Sequence, residues 1–116
     1  MRATLKRLEI VRYRREVRAI IGSGQRVDTK FFSLKYLPSN NRLIPRRIAF
    51  HLNSKIRGAV IRNRLKRRLR EIFRQNKNWF PEGFDYLIQA RTGAENLGFQ
   101  QLKQEIEKLI GRFKND

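Results

Sequence analysis

The chain has 116 residues, 40% of them hydrophobic, enough for one domain to bury a single core without a metal or disulfide staple. It carries 28 Lys and Arg against 10 Asp and Glu, a formal net charge of +18, so its partner should be strongly anionic. Cysteine is absent, which excludes a disulfide framework, a Cys-ligated zinc site and a thiol nucleophile, and fits a reducing cytosol.

A membrane surface is the rival polyanion, but no apolar run approaches spanning length and no membrane partner is expected. The opening MRATLKRLEI has early basic residues without a following hydrophobic stretch of signal-peptide length, so no export signal is expected. One domain over 1–116 is expected, with residues 1–9 as a basic arm whose Lys6 and Arg7 can touch phosphate.

From Ile10 to Ile21, Ile10, Val17, Ile20 and Ile21 alternate with arginines, predicting a short helix that Gly22-Ser23-Gly24 terminates. Arg26 to Leu37 has strand composition, with Phe32, Leu34 and Tyr36 on one side and Phe31, Ser33 and Lys35 on the other. Pro38-Ser39-Asn40-Asn41 and Ile44-Pro45 form an irregular connection. A second strand, Arg46 to Leu52, alternates Ile48, Phe50 and Leu52 with Arg47, Ala49 and His51, and pairing of the two as a long hairpin is expected. His51 is the only histidine, so no second one completes a metal site or an acid–base pair; it reads as a partly exposed sheet position, with RNA contact as the alternative.

The stretch Ile56 to Phe73 predicts one amphipathic helix, regular from about Ala59 because Gly58 precedes it. Ile61, Leu65, Leu69 and Ile72 fall in one stripe that should face the core. Asn63, Lys66, Arg67, Arg70 and Arg74 cluster opposite it, Arg64 lies at the edge of that cluster, and Arg62 and Arg68 flank the apolar side. Glu71 alone opposes this charge, by pairing with Arg67 or Arg74. Like charges at this density are unfavourable in an isolated helix, and a polyanion removes the cost; planar guanidinium forks suit phosphate oxygens.

Gln75 to Gly83 contains Trp79, Phe80 and Pro81, an apolar knot in a loop, where Trp79 is assigned to packing rather than base stacking. Phe84 to Arg91 alternates as a further strand in which Leu87 implies cover on both faces, and Leu97 to Phe113 closes as an amphipathic packing helix. The expected fold class is α+β, a two-layer sandwich in the order α-β-β-β-α-β-α around a mixed four-stranded sheet.

The run Arg62-Asn63-Arg64-Leu65-Lys66-Arg67-Arg68-Leu69-Arg70-Glu71 resembles the RNR signature of the bacterial ribonuclease P protein family: Arg-Asn-Arg, any residue, Lys-Arg, two residues, Arg. Upstream, Arg47 to Ile56 resembles the family's strand leading to a Ser-Lys-Lys segment; downstream, Phe84 to Arg91 resembles its Tyr-Asp strand ending in Ala-Arg; and Gly24, Val27 and Phe32 fit the early segment. The resemblance implies a cytoplasmic protein subunit of a ribonucleoprotein that removes the 5′ leader from precursor tRNA, in which the RNA subunit hydrolyses the phosphodiester with Mg2+ and the protein supplies no catalytic residue. It implies catalytic RNA and precursor tRNA as partners, no required protein partner, and a left-handed βαβ crossover where generic handedness would give a right-handed one.

Carried over residue by residue, the resemblance assigns RNA binding to Arg62, Asn63, Arg64, Lys66, Arg67 and Arg70, with Lys55 matching the upstream lysine. It assigns the leader to a cleft between the first helix, the sheet and the basic helix. There Val17, Ile21 and Lys35 stand where the family usually has aromatics, so phosphate charge should weigh more in leader recognition. Arg57-Gly58 stands where the family often has Gly-Asn. A basic ribosomal RNA-binding protein is the alternative; a lone protein nuclease is disfavoured because Asp28, Asp85 and Glu95 sit in separate segments.

Overall fold

The strand with apolar residues on both faces takes the middle of the sheet. In the computed structural model, which describes residues 9–11, 13–39 and 43–115, Phe84–Ala90 (β4) has Asp85, Tyr86, Leu87 and Ile88 all buried. Phe32–Pro38 (β2) pairs with it antiparallel and Arg46–Leu52 (β3) pairs with it parallel. The long hairpin expected between those two segments is therefore absent: each bonds to β4, not to the other. The first segment also divides. Thr29 turns the chain, its amide donating to the Phe32 carbonyl at 2.8 Å, so Gln25–Asp28 (β1) folds back on β2 and the sheet order is β1-β2-β4-β3.

Helices Ala59–Gln75 (α2) and Phe99–Asn115 (α3) cover one face of this mixed sheet, and α2 makes the crossover between parallel β3 and β4, the unit to which the family resemblance gives a left hand. The main core joins Phe32, Leu34, Ile48, Tyr86 and Ile88 to helix residues including Leu65, Leu69, Ile106 and Leu109. Leu65 is 2% exposed, so Leu65→Ala should lower the unfolding free energy by about 3 kcal/mol in urea titration. The expected stripe on α2 shifts by part of a turn: Phe73 is buried, whereas Ile61, in the first turn, is 37% exposed. In the connection after α2, Phe80 is fully buried, its ring edge-on to Phe73 at 5.0 Å and to Tyr86 at 5.3 Å, and Trp79 packs partly buried against the same core.

Arg14–Ser23 (α1) crosses part of the other face, where Ile20 meets Ala49 and Leu87 in a smaller cluster with Val11. The predicted helix began at Ile10; instead Ile10 makes a parallel bridge with Ile48, and the Val11 amide donates to the Ile48 carbonyl at 2.9 Å. Two extended residues thus shield the free edge of β3, which an early helix would leave bare. At the other end of α1, Gly24 is required by close approach: a Cβ there would lie 2.4 Å from the Ile20 carbonyl oxygen and 2.7 Å from that of Tyr36.

An ion cluster fastens α1 to the sheet. Arg47 on β3 donates from Nε to Asp85 Oδ1 at 3.0 Å and from Nη2 to Asp85 Oδ2 at 2.9 Å, and also donates to Glu16 on α1. Glu9 pairs with Lys77 at 2.7 Å. The rest of the expected basic arm, and Asn40 and Asn41 of the expected loop, lie outside the described residues.

Candidate nucleic-acid interface

The geometry of the basic helix is set before it begins. The Asn53 amide donates to the Ala90 carbonyl at 2.9 Å, anchoring the chain to the end of β4, and Asn53 Oδ1 accepts the Lys55 amide at 2.9 Å in a tight turn. Gly58, at φ 97°, supplies the left-handed backbone that brings the chain into α2. Arg62 secures the junction: its Nη1 donates to the carbonyl oxygens of Asn53 at 3.1 Å and Ile56 at 2.7 Å. This arginine of the signature is half-buried and holds the turn that carries Lys55, while Lys55 itself is exposed. Arg68 likewise reaches a carbonyl, that of Leu97 at 3.3 Å, and ties α2 to the approach to α3.

The remaining signature residues face outward. Asn63, Lys66, Arg67 and Arg70 surround one shallow depression of about 360 Å³, and Arg64 is exposed beside them. Glu71, the only acid of α2, is engaged by Arg74, whose Nε donates at 2.9 Å, and by Gln75 Nε2 at 2.9 Å; the hydrogen bond from Arg74 holds its carboxyl below the ordinary range. Elsewhere, acids meet other cations: Asp28 meets Arg26 and Arg91, Glu82 meets Arg46, and Glu105 meets Lys108. Among the described residues no carboxylate pairs with Arg64, Lys66, Arg67 or Arg70. Four cations on a rigid helix with no internal counter-charge form a ridge suited to a run of phosphates.

One shoulder of the ridge turns inward. Lys66 and Arg70 also line a cleft of about 190 Å³ with Val17, Ala49, His51 and Leu87, bounded by α1, the sheet and α2. Of the three residues assigned to the leader cleft, Val17 lies in this wall. Ile21 is 41% exposed and Lys35 is half-buried on β2, level with Leu87; neither lines the cleft. His51, exposed on β3, does. Among the described residues no group of three or more His, Cys, Asp or Glu side chains is arranged to hold a metal ion. No described helix is long and apolar enough to cross a membrane.

A mixed sheet backed by two helices, with a cationic ridge over a narrow cleft, defines a small basic nucleic-acid-binding protein. Comparison with known sequences makes this specific. The chain belongs to the ribonuclease P protein family, whose model, described as Ribonuclease P, matches residues 5–114. It is 33% identical over 114 residues to the ribonuclease P protein component of Petrotoga mobilis, covering 95% of each chain, and 35% identical over 108 residues to that of Pelotomaculum thermopropionicum, covering 93% of this chain and 95% of the other. The RNase P protein from Thermotoga maritima superposes with a TM-score of 0.80 at 28% identity, covering 90% of this chain and 96% of that one. A Staphylococcus aureus RNase P protein shares the fold at a TM-score of 0.82 and 24% identity, covering 92% of this chain and 89% of that one. Proteins of this family are subunits of the endoribonuclease that matures the 5′ end of tRNA, and the partners are its RNA subunit and precursor tRNA. The family match sets aside the ribosomal alternative.

Proposed function

We propose that the α2 ridge, through Asn63, Arg64, Lys66, Arg67 and Arg70 with Lys55 beside its start, is the surface that holds the RNA subunit of ribonuclease P. The cleft entered at Lys66 and Arg70 then receives the single-stranded leader of precursor tRNA. One observation carries this reading: among the described residues no carboxylate pairs with the four ridge cations, whereas Glu9, Glu16, Asp28, Glu71, Glu82, Asp85 and Glu105 each meet another cation. Arg62 contributes as a positioning residue that fixes the turn bearing Lys55. The basic arm of residues 1–9 adds phosphate contacts within a single domain spanning 1–116.

Ribonuclease P depends on Mg2+ in general; we assign that ion mainly to the RNA subunit. This chain acts by charge: its guanidinium and ammonium groups neutralise phosphates where leader and RNA subunit approach, lowering the repulsion that opposes their assembly. The setting is the cytoplasm, without a required protein partner. Reconstitution with a bacterial catalytic RNA and precursor tRNA tests the reading. The chain should lower the Mg2+ concentration needed for leader removal and show no cleavage without RNA; cleavage by the isolated chain, or an unchanged Mg2+ requirement, contradicts it.

A further inference from the structure

The charge of α1 sits at the unfavourable end of the helix. Arg14 and Arg15 open it and Arg18 follows in the next turn, while its last turn has no basic residue. Cations are disfavoured near a helix N-terminus and favoured near a C-terminus. Helix α3 obeys that rule, with Arg112 and Lys114 in its last turn. On α1 the fold supplies no counter-charge: Glu16 is turned to Arg47 on β3, and among the described residues no carboxylate pairs with Arg14, Arg15 or Arg18.

The three arginines form one face. At about 100° per residue they occupy roughly a third of the helix circumference, on the side opposite Ile20, which packs on the sheet. All three are exposed. The Arg15 guanidinium lies 5.9 Å from the centroid of the Tyr13 ring, itself 66% exposed, a contact that steadies the guanidinium without neutralising it. Arg14 and Arg18 stand one turn apart, about 6 Å along the axis, a step close to that between neighbouring phosphates of one RNA strand. Because the Arg47 cluster fastens α1 to the sheet, the face is held on a rigid support. Val17 and Ile20 take the side turned to the cleft and the sheet, so a strand lying in the cleft leaves the arginine face uncovered.

The cost of this charge placement is present whenever the chain is folded. A resident polyanion removes it for as long as the complex exists, whereas a substrate that comes and goes does not. We propose that the outer face of α1 is a second phosphate-binding surface, which holds a segment of the RNA subunit distinct from the one on α2. The two RNA segments then stand on opposite walls of the cleft, which α1 and α2 both line. The proposal rests on the α2 ridge being the surface for the RNA subunit and adds to it a second point of attachment.

Two measurements on the full chain test this. In filter binding to the catalytic RNA without substrate, Arg14→Ala, Arg15→Ala and Arg18→Ala combined should weaken affinity about a hundredfold near 0.15 M salt and make the salt slope shallower by about 2 to 3. The melting temperature of that variant should be no lower than that of the native chain, since the charges removed oppose the helix dipole. The chain has no cysteine, so Arg18→Cys or Arg67→Cys offers a single attachment point for an iron chelate that generates hydroxyl radicals. In the complex of chain, catalytic RNA and precursor tRNA, the two positions should cut different segments of the catalytic RNA. Unchanged affinity in the α1 variant, while the variant of Lys66, Arg67 and Arg70 is weakened, overturns the second surface alone. Native affinity in the variant of Lys66, Arg67 and Arg70 overturns the ridge reading beneath it. Cuts from position 18 that fall only on precursor tRNA, or on the segment cut from position 67, overturn the second surface too, and a lowered melting temperature would mark the three arginines as structural and do the same.

Discussion

Replacing Lys66, Arg67 and Arg70 together by alanine is expected to weaken binding of the catalytic RNA about a hundredfold at physiological salt. Each lost phosphate contact removes about 0.7 to 0.9 of a power of the salt concentration, or roughly four- to fivefold near 0.15 M, and three such losses multiply. The same variant should show a salt slope shallower by about 2 to 3. Arg67 and Arg70 are exposed, Lys66 is half-buried, and none of the three is in an ion pair among the described residues, so the melting temperature should barely change. Lys108→Ala, which removes a cation already paired with Glu105 on α3, serves as the control and should change affinity by less than about twofold. Filter-binding or fluorescence titration against the RNA subunit reads both; equal affinities for the native chain and the triple variant would remove the ridge from the interface.

The largest loss of stability is expected from Arg47→Met. The guanidinium sits between Asp85, which is 9% exposed, and Glu16 of α1, and its own pKa is raised above the ordinary arginine value, chiefly by the hydrogen bond to Asp85. A raised value in the folded state means that its contribution is complete below the ordinary arginine value and would be lost only in stronger alkali, so it is constant over the working pH range. Removing the cation strands Asp85 inside and leaves Glu16 without its partner. Breaking a buried pair from one side in this way costs about 3–5 kcal/mol, which urea unfolding would register as a lower midpoint. Because Glu16 belongs to α1, the wall that carries Val17 should loosen as well. Below the melting transition the variant should lose part of the affinity contributed by the leader. A stability within about 1 kcal/mol of the native chain would mean that the cluster does not fasten α1.

What could be read from residue order followed from periodicity. A helical period separates Leu65, Leu69 and Ile72 from Asn63, Arg67 and Arg70, so both the core side of α2 and its cationic side were visible in advance. Period alone gave no warning that the first turn runs past the packed region, leaving Ile61 exposed while Phe73 completes the core. Nor did it distinguish an arginine that faces solvent from one that reaches back to a carbonyl: Arg62 and Arg68 flank the apolar side and do the latter.

Alternation within a strand fixes which residues share a face, not which strand lies alongside, and the mistaken hairpin between β2 and β3 came from that gap. The burial of β4 on both faces, hinted at by Leu87, was the signal for its central place. The turn at Thr29 carries no Gly or Pro and was invisible for that reason. Val17 lines the cleft while Ile21, one turn later on α1, does not, a distinction set by where α1 crosses the sheet.

The most direct test of the ridge is the salt dependence of binding between the chain and the catalytic RNA. With about six phosphates engaged, the logarithm of affinity should fall against the logarithm of salt concentration with a slope of roughly −4 to −5. A slope near −1 would contradict a phosphate-binding ridge on α2.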